Sequence, residues 1–531
     1  MKIHVRGIEL PLGKDQSSLE KVVSRTLQLR IESIAGIKIL RRSLDARKSR
    51  GKPVWHYALE VETSDRPTRC PSGVRWDAAQ DNDLHSESRD DRLNGVSAVI
   101  AGSGPAGLFT ALALLLHGAL VTILEQGPEL KDRVTATRRF WREGRIDPMA
   151  NVQFGEGGAG TFSDGKLTFR NKSPLARRVL ETFVKAGAPP VILEEAHPHI
   201  GTDGVRRVVS SLRKQIEGEG GKFRFGEKVV SLRPKEAGGC TVVTPRSEIE
   251  ADLCFLAVGH SSRSLARRVV SMGLPAEAKG FAVGVRVEHP QAWVDECQYG
   301  RYAGHPNLPP AEYRLTFKDR ESGRGVYSFC MCPGGLVVNS ASGEGRLVTN
   351  GMSMSHRASG KANSGIVVTV SPDDFNGDPL SAMAFQENLE AAAFRLGGGD
   401  HFAPAQSVRA YLDGRVDEET PSTSFRPGVR SANLRGLFPD WIEAPLLRAL
   451  LHFESRMPGF IENGVLVAPE TRTSSPLRFL RDEAGSSPGF PWLYIPGEAG
   501  GWSGGIVSSA VDGLRCVERI VGKKRGFAPA G

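Results

Sequence analysis

Hydrophobic and polar positions change rhythm several times along the chain, and each change marks an element. Ile3 and Val5 alternate with polar residues, the period of a half-buried strand. Leu19, Val22, Val23, Leu27 and Leu29 recur at helical spacing. Ile37, Ile39 and Leu40 then mark a second strand, and Trp55, Tyr57, Leu59 and Val61 alternate as a third. Together they predict a small α+β module over residues 1–73. Residues 74–95 carry Asp77, Asp81, Asp83, Glu87, Asp90 and Asp91, a composition that cannot bury a core and predicts a linker.

From Ser97 the pattern is that of a buried parallel sheet. Val99, Ile100 and Ala101 form a short apolar run, Leu108, Ala111, Leu112, Leu115 and Leu116 mark a helix, and Leu120 to Leu124 mark a second strand. This βαβ unit turns on Gly102-Ser103-Gly104-Pro105-Ala106-Gly107, and Glu125 ends its second strand. Glycine-rich loops say little by themselves in a chain with 61 glycines. Between a strand and a helix, this one reads as a dinucleotide fingerprint. Gly102 permits the tight turn, Gly104 lets backbone approach a pyrophosphate, and Gly107 lets helix pack on strand. The helix N-terminus offers unpaired amides and about half a positive charge to the phosphates. Glu125 is expected to accept from a ribose 2′-OH and to repel a 2′-phosphate, which favours FAD or NAD over NADP. Arg133 is placed to meet phosphate or ribose.

Three further segments favour FAD. Near the C-terminus, Trp492 to Pro496 is strand-like and runs into Gly497-Glu498-Ala499-Gly500-Gly501-Trp502-Ser503-Gly504-Gly505, followed from Ile506 by a helix with Val507, Ala510, Val511, Leu514, Val517 and Val521 on one face. A second glycine-rich strand-to-helix turn suits a two-ended cofactor: Glu498 is expected at the ribityl hydroxyls and the helix after Gly505 at N1–C2=O of a reduced flavin. The run Gln153 to Lys166 formally repeats the fingerprint at Gly155, Gly157 and Gly160. No apolar strand enters it and no apolar helix leaves it, so Gly157, Gly158, Thr161, Asp164, Gly165 and Lys166 are expected to press a loop against flavin and pyrophosphate. Leu253 to His260 reads as the parallel strand beneath the cofactor, ending at Gly259, and Lys228-Val229-Val230 as a strand covering the adenine. The predicted fold class is therefore α/β. A Rossmann-like FAD-binding domain (96–268 and 485–525) holds an inserted α+β substrate domain (269–484), after the small N-terminal module and the linker.

Composition narrows the class without naming the chemistry. The chain has 531 residues, 40% hydrophobic and 24% charged, which excludes collagen-like, coiled-coil and wholly disordered chains. Its longest apolar stretch, Leu108 to Leu124, is broken by Thr110, His117, Gly118 and Thr122, so no membrane span is expected. The start lacks the apolar region of a secretory signal, and seven scattered cysteines suit a reducing cytoplasm. A net charge of +9 suits small anions at least as well as nucleic acid. The basic run Lys38, Arg41, Arg42, Arg47, Lys48, Arg50 and Lys52 reads as a solvated or docked face, with a phosphate or nucleic-acid surface as the alternative. No aromatic residues interleave it as a stacking platform requires.

Several of these segments resemble a family of bacterial FAD-dependent dehydrogenases related to the glutathione-reductase-like flavoproteins: Gly102 to Gly107, VQFGEGGAGTFSDGKL (152–167), AVGHSSRS (257–264), FAVGVRVEHP (281–290), RGVYSFCMCPGG (324–335), ETRTSSP (470–476) and Gly497 to Gly513. The resemblance spans most of the chain, with Ser43 to Arg47 also familial. It departs at Gly497 to Gly501, where Gly-Glu-Gly-Ala-Gly is the expected order. It implies non-covalently bound FAD and a redox role, and supplies no substrate.

The expected activity is therefore hydride transfer between flavin N5 and a small, anionic organic substrate, with NAD(P)H admissible as electron donor. A monooxygenase using NAD(P)H and oxygen, and a nucleic-acid- or partner-binding protein with structural FAD, are the alternatives. Arg286, His289, Tyr313, Arg314, Tyr327, His356, Arg357, Arg472 and Arg478 are the polar residues of the predicted substrate domain. His289 and His356 are candidate bases, each more often a satisfied structural histidine. Arg472 reads as a carboxylate clamp, a structural ion pair or a phosphate contact. Cys330-Met331-Cys332 puts two thiols on one strand face, though the ring they would close is small. No Cys/His set has metal-site spacing, so no metal is expected.

Overall fold

The computed structural model describes residues 1–14, 16–47, 51–67, 70–78, 89–169 and 173–525. Lys48, Arg50, Asp81, Asp83 and Glu87, singled out above, lie outside the described residues.

The N-terminal alternation produces an antiparallel sheet in the order Ile34–Asp45, Val54–Thr63, Lys2–Pro11, Arg75–Ala78, with the helix Leu19–Leu27 packed on it. Ile3, Val5, Leu59 and Val61 meet Val23 and Leu27 in its core. Its fourth strand comes from the predicted linker: Trp76 pairs with Val5 and Arg75 with Arg6. The other end of that segment is ordered too. Asp90 bonds His117 Nδ1 at 2.9 Å, and the Leu93 amide donates to the His117 carbonyl, closing the end of the following helix. Acidic composition hid both, because edge pairing and helix capping need backbone and a few side chains rather than an apolar run.

Apolar runs buried on both faces make the five-stranded parallel sheet, ordered Leu493–Tyr494, Leu253–Leu256, Ser97–Ala101, Leu120–Glu125, Lys222–Phe225. The strand Leu253–Leu256 lies beside the fingerprint strand as expected, and the C-terminal strand pairs with it in turn. The helix Pro105–Leu116 is buried almost all round, as its sequence, apolar but for Thr110, requires, and packs on the C-terminal helix Ile506–Arg525. A three-stranded antiparallel meander, Ser231–Pro234, Cys240–Val243 and Glu248–Ala251, stands beside the sheet. Lys228, Val229 and Val230 precede its first strand rather than forming one, although the Val230 amide reaches the Val243 carbonyl.

Between Leu253–Leu256 and Leu493–Tyr494 the chain builds a second large sheet of seven strands. At its centre Phe281–Pro290 pairs along its whole length with Lys361–Val370. Val283, Val285 and Val287 pack with Ile366, Val368, Phe453 and Phe460. Two buried charge clusters cross this region. Arg286 grips Glu470 at 2.8 and 2.9 Å and Asn363 at 2.8 Å. Glu390 takes Arg263 at 2.8 Å through both oxygens and Arg472 at 3.1 Å through both. Glu390 is thereby held well below the usual carboxylate range, because two guanidinium charges outweigh its burial. Among the described residues no helix is long and apolar enough to cross a membrane.

His289 ends the central strand stacked 4.6 Å from the Trp293 ring, with Nε2 3.0 Å from the Phe460 carbonyl. Burial pushes it down to about 4. An unfolded histidine near pH 6.5 binds the proton that the folded one refuses, so stability rises with pH between about 4 and 6.5. Its share is complete above 6.5 and absent below 4. Chemical denaturation at pH 7 and pH 5 should differ by about 2 kcal/mol from this group, and His289→Phe should remove that difference.

Candidate functional site

The fingerprint loop turns sharply out of the strand Ser97–Ala101. Gly102 has φ of 102°, and a Cβ there would lie 2.5 Å from the Ala257 carbonyl oxygen. A Cβ on Gly107 would fall on the Gly102 carbonyl. Gly104 differs: its φ is −75°, and an added Cβ would meet nothing closer than the Gly158 Cα at 3.7 Å.

Glu125 and Arg133 do not hold the roles read for them. The Glu125 carboxylate accepts from the Ser103 amide (3.0 Å) and hydroxyl (2.7 Å) on one oxygen, and from the amides of Gly127 (2.9 Å) and Gly155 (3.0 Å) on the other. A carboxylate has about four lone-pair positions, and the protein occupies them. Glu125 thus ties the fingerprint to the glycine run, while Gln126 beside it lines the cavity. Arg133 has no exposed surface. Nε donates to the Asn151 carbonyl at 3.0 Å and Nη2 to Val152 at 2.9 Å. Nη1 donates to Gly155, Glu156 and Gly158 at 3.1, 2.6 and 2.9 Å. Desolvation pushes this guanidinium down to about 9. It holds a loop and reaches no cavity.

The run Gln153 to Lys166 is that loop, with only the short 3-10 turn Ala159–Phe162 in it. Gly155 is glycine because a Cβ would strike the Arg133 stem. The Gly157 amide donates to the Ser103 carbonyl at 3.2 Å, and the Thr161 hydroxyl to the Glu156 carbonyl at 3.3 Å, so both brace the loop from behind. Gly158 then lies against Gly104.

Loop and fingerprint form one wall of a cavity of about 1380 Å³. Gly102, Gly104, Pro105, Ala106, Glu125 and Gly158 line it with Val229 and Gly259. Glu498, Gly504, Gly505 and Ile506 close on it from the C-terminal turn, and Asp164, Gly165 and Lys166 from the loop's end. Ser103, Gly107, Arg133, Gly157, Thr161 and Gly497 stand behind this wall. Gly497 belongs there because its amide donates to Asp512 at 2.7 Å and a Cβ would crowd Ala106. Two helix N-termini, at Gly104 and Gly505, open on the cavity, with the first-turn amides that no helix pairs. Small-ligand clefts are usually ~300–1,000 Å³, so this volume admits a dinucleotide and a second small molecule.

The other wall carries much of the predicted polar set. Asp164 is buried in an ion pair with Arg357 at 2.6 Å and bonds Ser353, so it is a structural anion at the cavity edge. Lys166 donates to the Met331 carbonyl. Tyr313, Arg314, Tyr327 and Arg472 line the cavity, but Arg472 is bound to Glu390, Ser261 and Ser342, which settles it as a structural ion pair. Arg286, His289, His356 and Arg478 do not line it. His356 is exposed, and Arg478 lies over the Trp502 ring at 4.9 Å. Glu498 faces His260 Nδ1 at 3.0 Å.

The residue sequence reasoning missed is Arg41, which the N-terminal module inserts into the cavity beside Arg314, Lys166, Glu312 and His197. Docking brings it there. Arg42 donates its amide to the Glu194 carbonyl, receives the Ala196 amide, and ion-pairs with Glu195 at 2.7 Å. Membership of the basic run was the only signal. Among the described residues no group of His, Cys, Asp and Glu could hold a metal.

Arg133→Met should strand the buried carbonyl oxygens of Asn151 and Val152, which have no other donor, while those of Gly155, Glu156 and Gly158 keep the Gly158 amide, the Thr161 hydroxyl and the Thr161 amide. At ~1–3 kcal/mol for each unsatisfied group, the expected loss is about 2 kcal/mol or more. The check is the urea midpoint, read against Arg138→Met, which removes an exposed guanidinium from the same helix, Leu130–Glu143.

Comparison with known proteins adds the family. Residues 280–473 match the family described as FAD-dependent protein, C-terminal domain-like, and residues 2–62 a domain of unknown function. Among solved structures, glycine oxidase from Geobacillus kaustophilus is 13% identical over 81% of this chain and 95% of its own, with a TM-score of 0.34. CmlS, a flavin-dependent halogenase, is 14% identical over 81% of this chain and 58% of its own, with a TM-score of 0.36. Likeness at that level bears on neither fold nor activity. An uncharacterised protein of Clostridium beijerinckii is 39% identical over 98% of this chain and 99% of its own length. That identity makes this chain a member of the same family as the Clostridium protein, and its residues 280–473 carry the match to the FAD-dependent protein, C-terminal domain-like model.

Proposed function

We propose that the protein is an FAD-dependent oxidoreductase that holds FAD non-covalently in this cavity and acts on a small anionic organic molecule. One observation carries the reading: the cavity wall contains glycines that the fold does not need. Gly104, Gly504 and Gly505 have no positive φ, and an added Cβ would meet its nearest neighbour at 3.7, 3.9 and 3.4 Å. Protein packing therefore tolerates a methyl at each of them, unlike at Gly102 and Gly107. What a side chain there would exclude is an occupant of the cavity.

In this reading Gly104, Pro105 and Ala106 would hold the pyrophosphate, with Gly158 opposite. Gly504, Gly505 and Ile506 would present a helix N-terminus to the ring. Bound FAD supplies two-electron chemistry at N5. Arg41 and Arg314 have no ion-pair partner among the described residues, and with Lys166 they give one end of the cavity a positive potential suited to a carboxylate or phosphate. The chain's own work is to orient that anion and to exclude water. Of the basic run, Arg42 and Arg47 are paired with Glu195 and Asp45.

An absorption spectrum of the purified protein, with the released chromophore identified by chromatography, should show FAD. Compared with the wild type after both are stripped of flavin, Gly104→Ala should melt within a few degrees, and as purified it should have lost more than tenfold in FAD content. Undiminished FAD would overturn the site assignment. In anaerobic titration, bleaching by NADH or NADPH assigns a nicotinamide as donor. A spectrum untouched by both assigns that role to the substrate.

A further inference from the structure

Cys330 is the one exposed thiol of the seven; Cys240, Cys254, Cys332 and Cys516 are buried, and Cys70 and Cys297 half-buried. Its exposure is to the cavity, whose wall it helps to form. The strand Gly325–Cys332 pairs regularly with Lys361–Val370 as far as Phe329, then slips before Cys332 meets Asn363. Cys330 occupies the slip with φ of 44°, a left-handed conformation that a residue with a Cβ rarely adopts. Bulges of this kind re-aim a side chain, and here the side chain is a nucleophile.

Its neighbour is provided for as well. Cys332 is buried, with Sγ 3.3 Å from the Cys330 carbonyl. Two glycines make its room: a Cβ on Gly351 would come within 2.7 Å of Cys332 Sγ, and one on Gly335 within 2.9 Å of its Cβ. Lys166 holds the carbonyl of Met331, between the two cysteines. The groups facing Cys330 are the Cys332 thiol, Lys166, Arg286 and Asp164. The first three favour the thiolate, and Asp164, already paired with Arg357, opposes it. The Cys332 hydrogen bond, then these cations, hold Cys330 down to about 6, while Cys332 is pushed well above its ordinary value.

We propose that Cys330 is a reactive thiolate of the cavity, that Cys332 is its resolving thiol, and that the pair exchanges with a ligand of the disulfide class. Cys330 Sγ attacks one ligand sulfur, a protein–ligand disulfide forms, the ligand S–S bond breaks, and the departing thiolate takes a proton from solvent. Cys332 then loses its proton to solvent and attacks Cys330 Sγ. The mixed disulfide breaks, the second ligand thiolate leaves and is protonated, and a Cys330–Cys332 disulfide is left. Two electrons have passed from the pair to the ligand. No step draws on FAD, so the inference stands apart from the function proposed above.

The test uses the full chain as purified, reduced with dithiothreitol and desalted, with 4,4′-dithiodipyridine as the probe. At pH 7 a fast phase should release two thiopyridones per chain, and the tryptic peptide 325–346 should become lighter by two hydrogens. In Cys332→Ser the fast phase should release one, leaving the probe on Cys330. In Cys330→Ser it should vanish, with the melting temperature confirming the fold. Site-resolved alkylation of the wild type by iodoacetamide, which needs no variant, should show Cys330 reacting with a midpoint near pH 6. A midpoint near ~8.5, that of an ordinary thiol, or a fast phase located at another cysteine, would overturn the proposal. Mixed disulfide that persists at Cys330 in the wild type would overturn the role of Cys332.

Discussion

The candidate site depends on one buried cation. Arg133 directs its guanidinium donors at five carbonyl oxygens of the segment Asn151 to Gly158, a stretch rich in glycine and without regular structure. Such a segment loses the most conformational entropy on becoming ordered. A planar donor fork is well matched to the task, because its N–H directions are set before the loop arrives. Once the loop is fixed, Gly158 has a place beside Gly104, and the Glu125 carboxylate can bridge Gly155 to Ser103. A dinucleotide fingerprint and a loop about fifty residues later thus become a single wall.

The same device recurs where the large antiparallel sheet meets that wall. Arg286 with Glu470, Arg263 and Arg472 with Glu390, and Arg357 with Asp164 are all buried pairs linking segments far apart in sequence. Desolvation makes such pairs poor sources of net stability, yet costly to break singly. They act as registration pins: each anion has one arrangement of partners that satisfies it. The cavity lies between elements so pinned, which keeps its glycine-lined and cationic ends in fixed relation.

Glycines of the cavity separate into two kinds. At Gly102, Gly107, Gly155 and Gly497 a methyl would collide with the protein itself or meet a forbidden φ. At Gly104, Gly504 and Gly505 it would not. That distinction is invisible in a glycine-rich motif, where all of them look alike, and it separates residues that build the turn from residues that leave space.

What the sequence by itself determined is local. Strand, glycine turn and helix from Val99 to Leu116, the strand at Leu253, and the alternations at Ile3 and Trp55 are decided by periodicity and turn chemistry within a few residues, and the fold follows them. Arg75–Ala78 escaped because an edge strand needs a partner more than an apolar pattern. Tertiary structure alone decided where long polar side chains place their bonds. Glu125, Arg133 and Asp164 read as ligand contacts because polar groups beside a glycine loop suit a cofactor's hydroxyls and phosphates, and Arg472 stood open between a ligand contact and a structural ion pair. Each instead satisfies protein groups brought in from distant parts of the chain, and Arg41 reaches the cavity only through the docking of its module. A buried charge must find partners wherever folding puts them, and no pattern of neighbours along the chain encodes that distance.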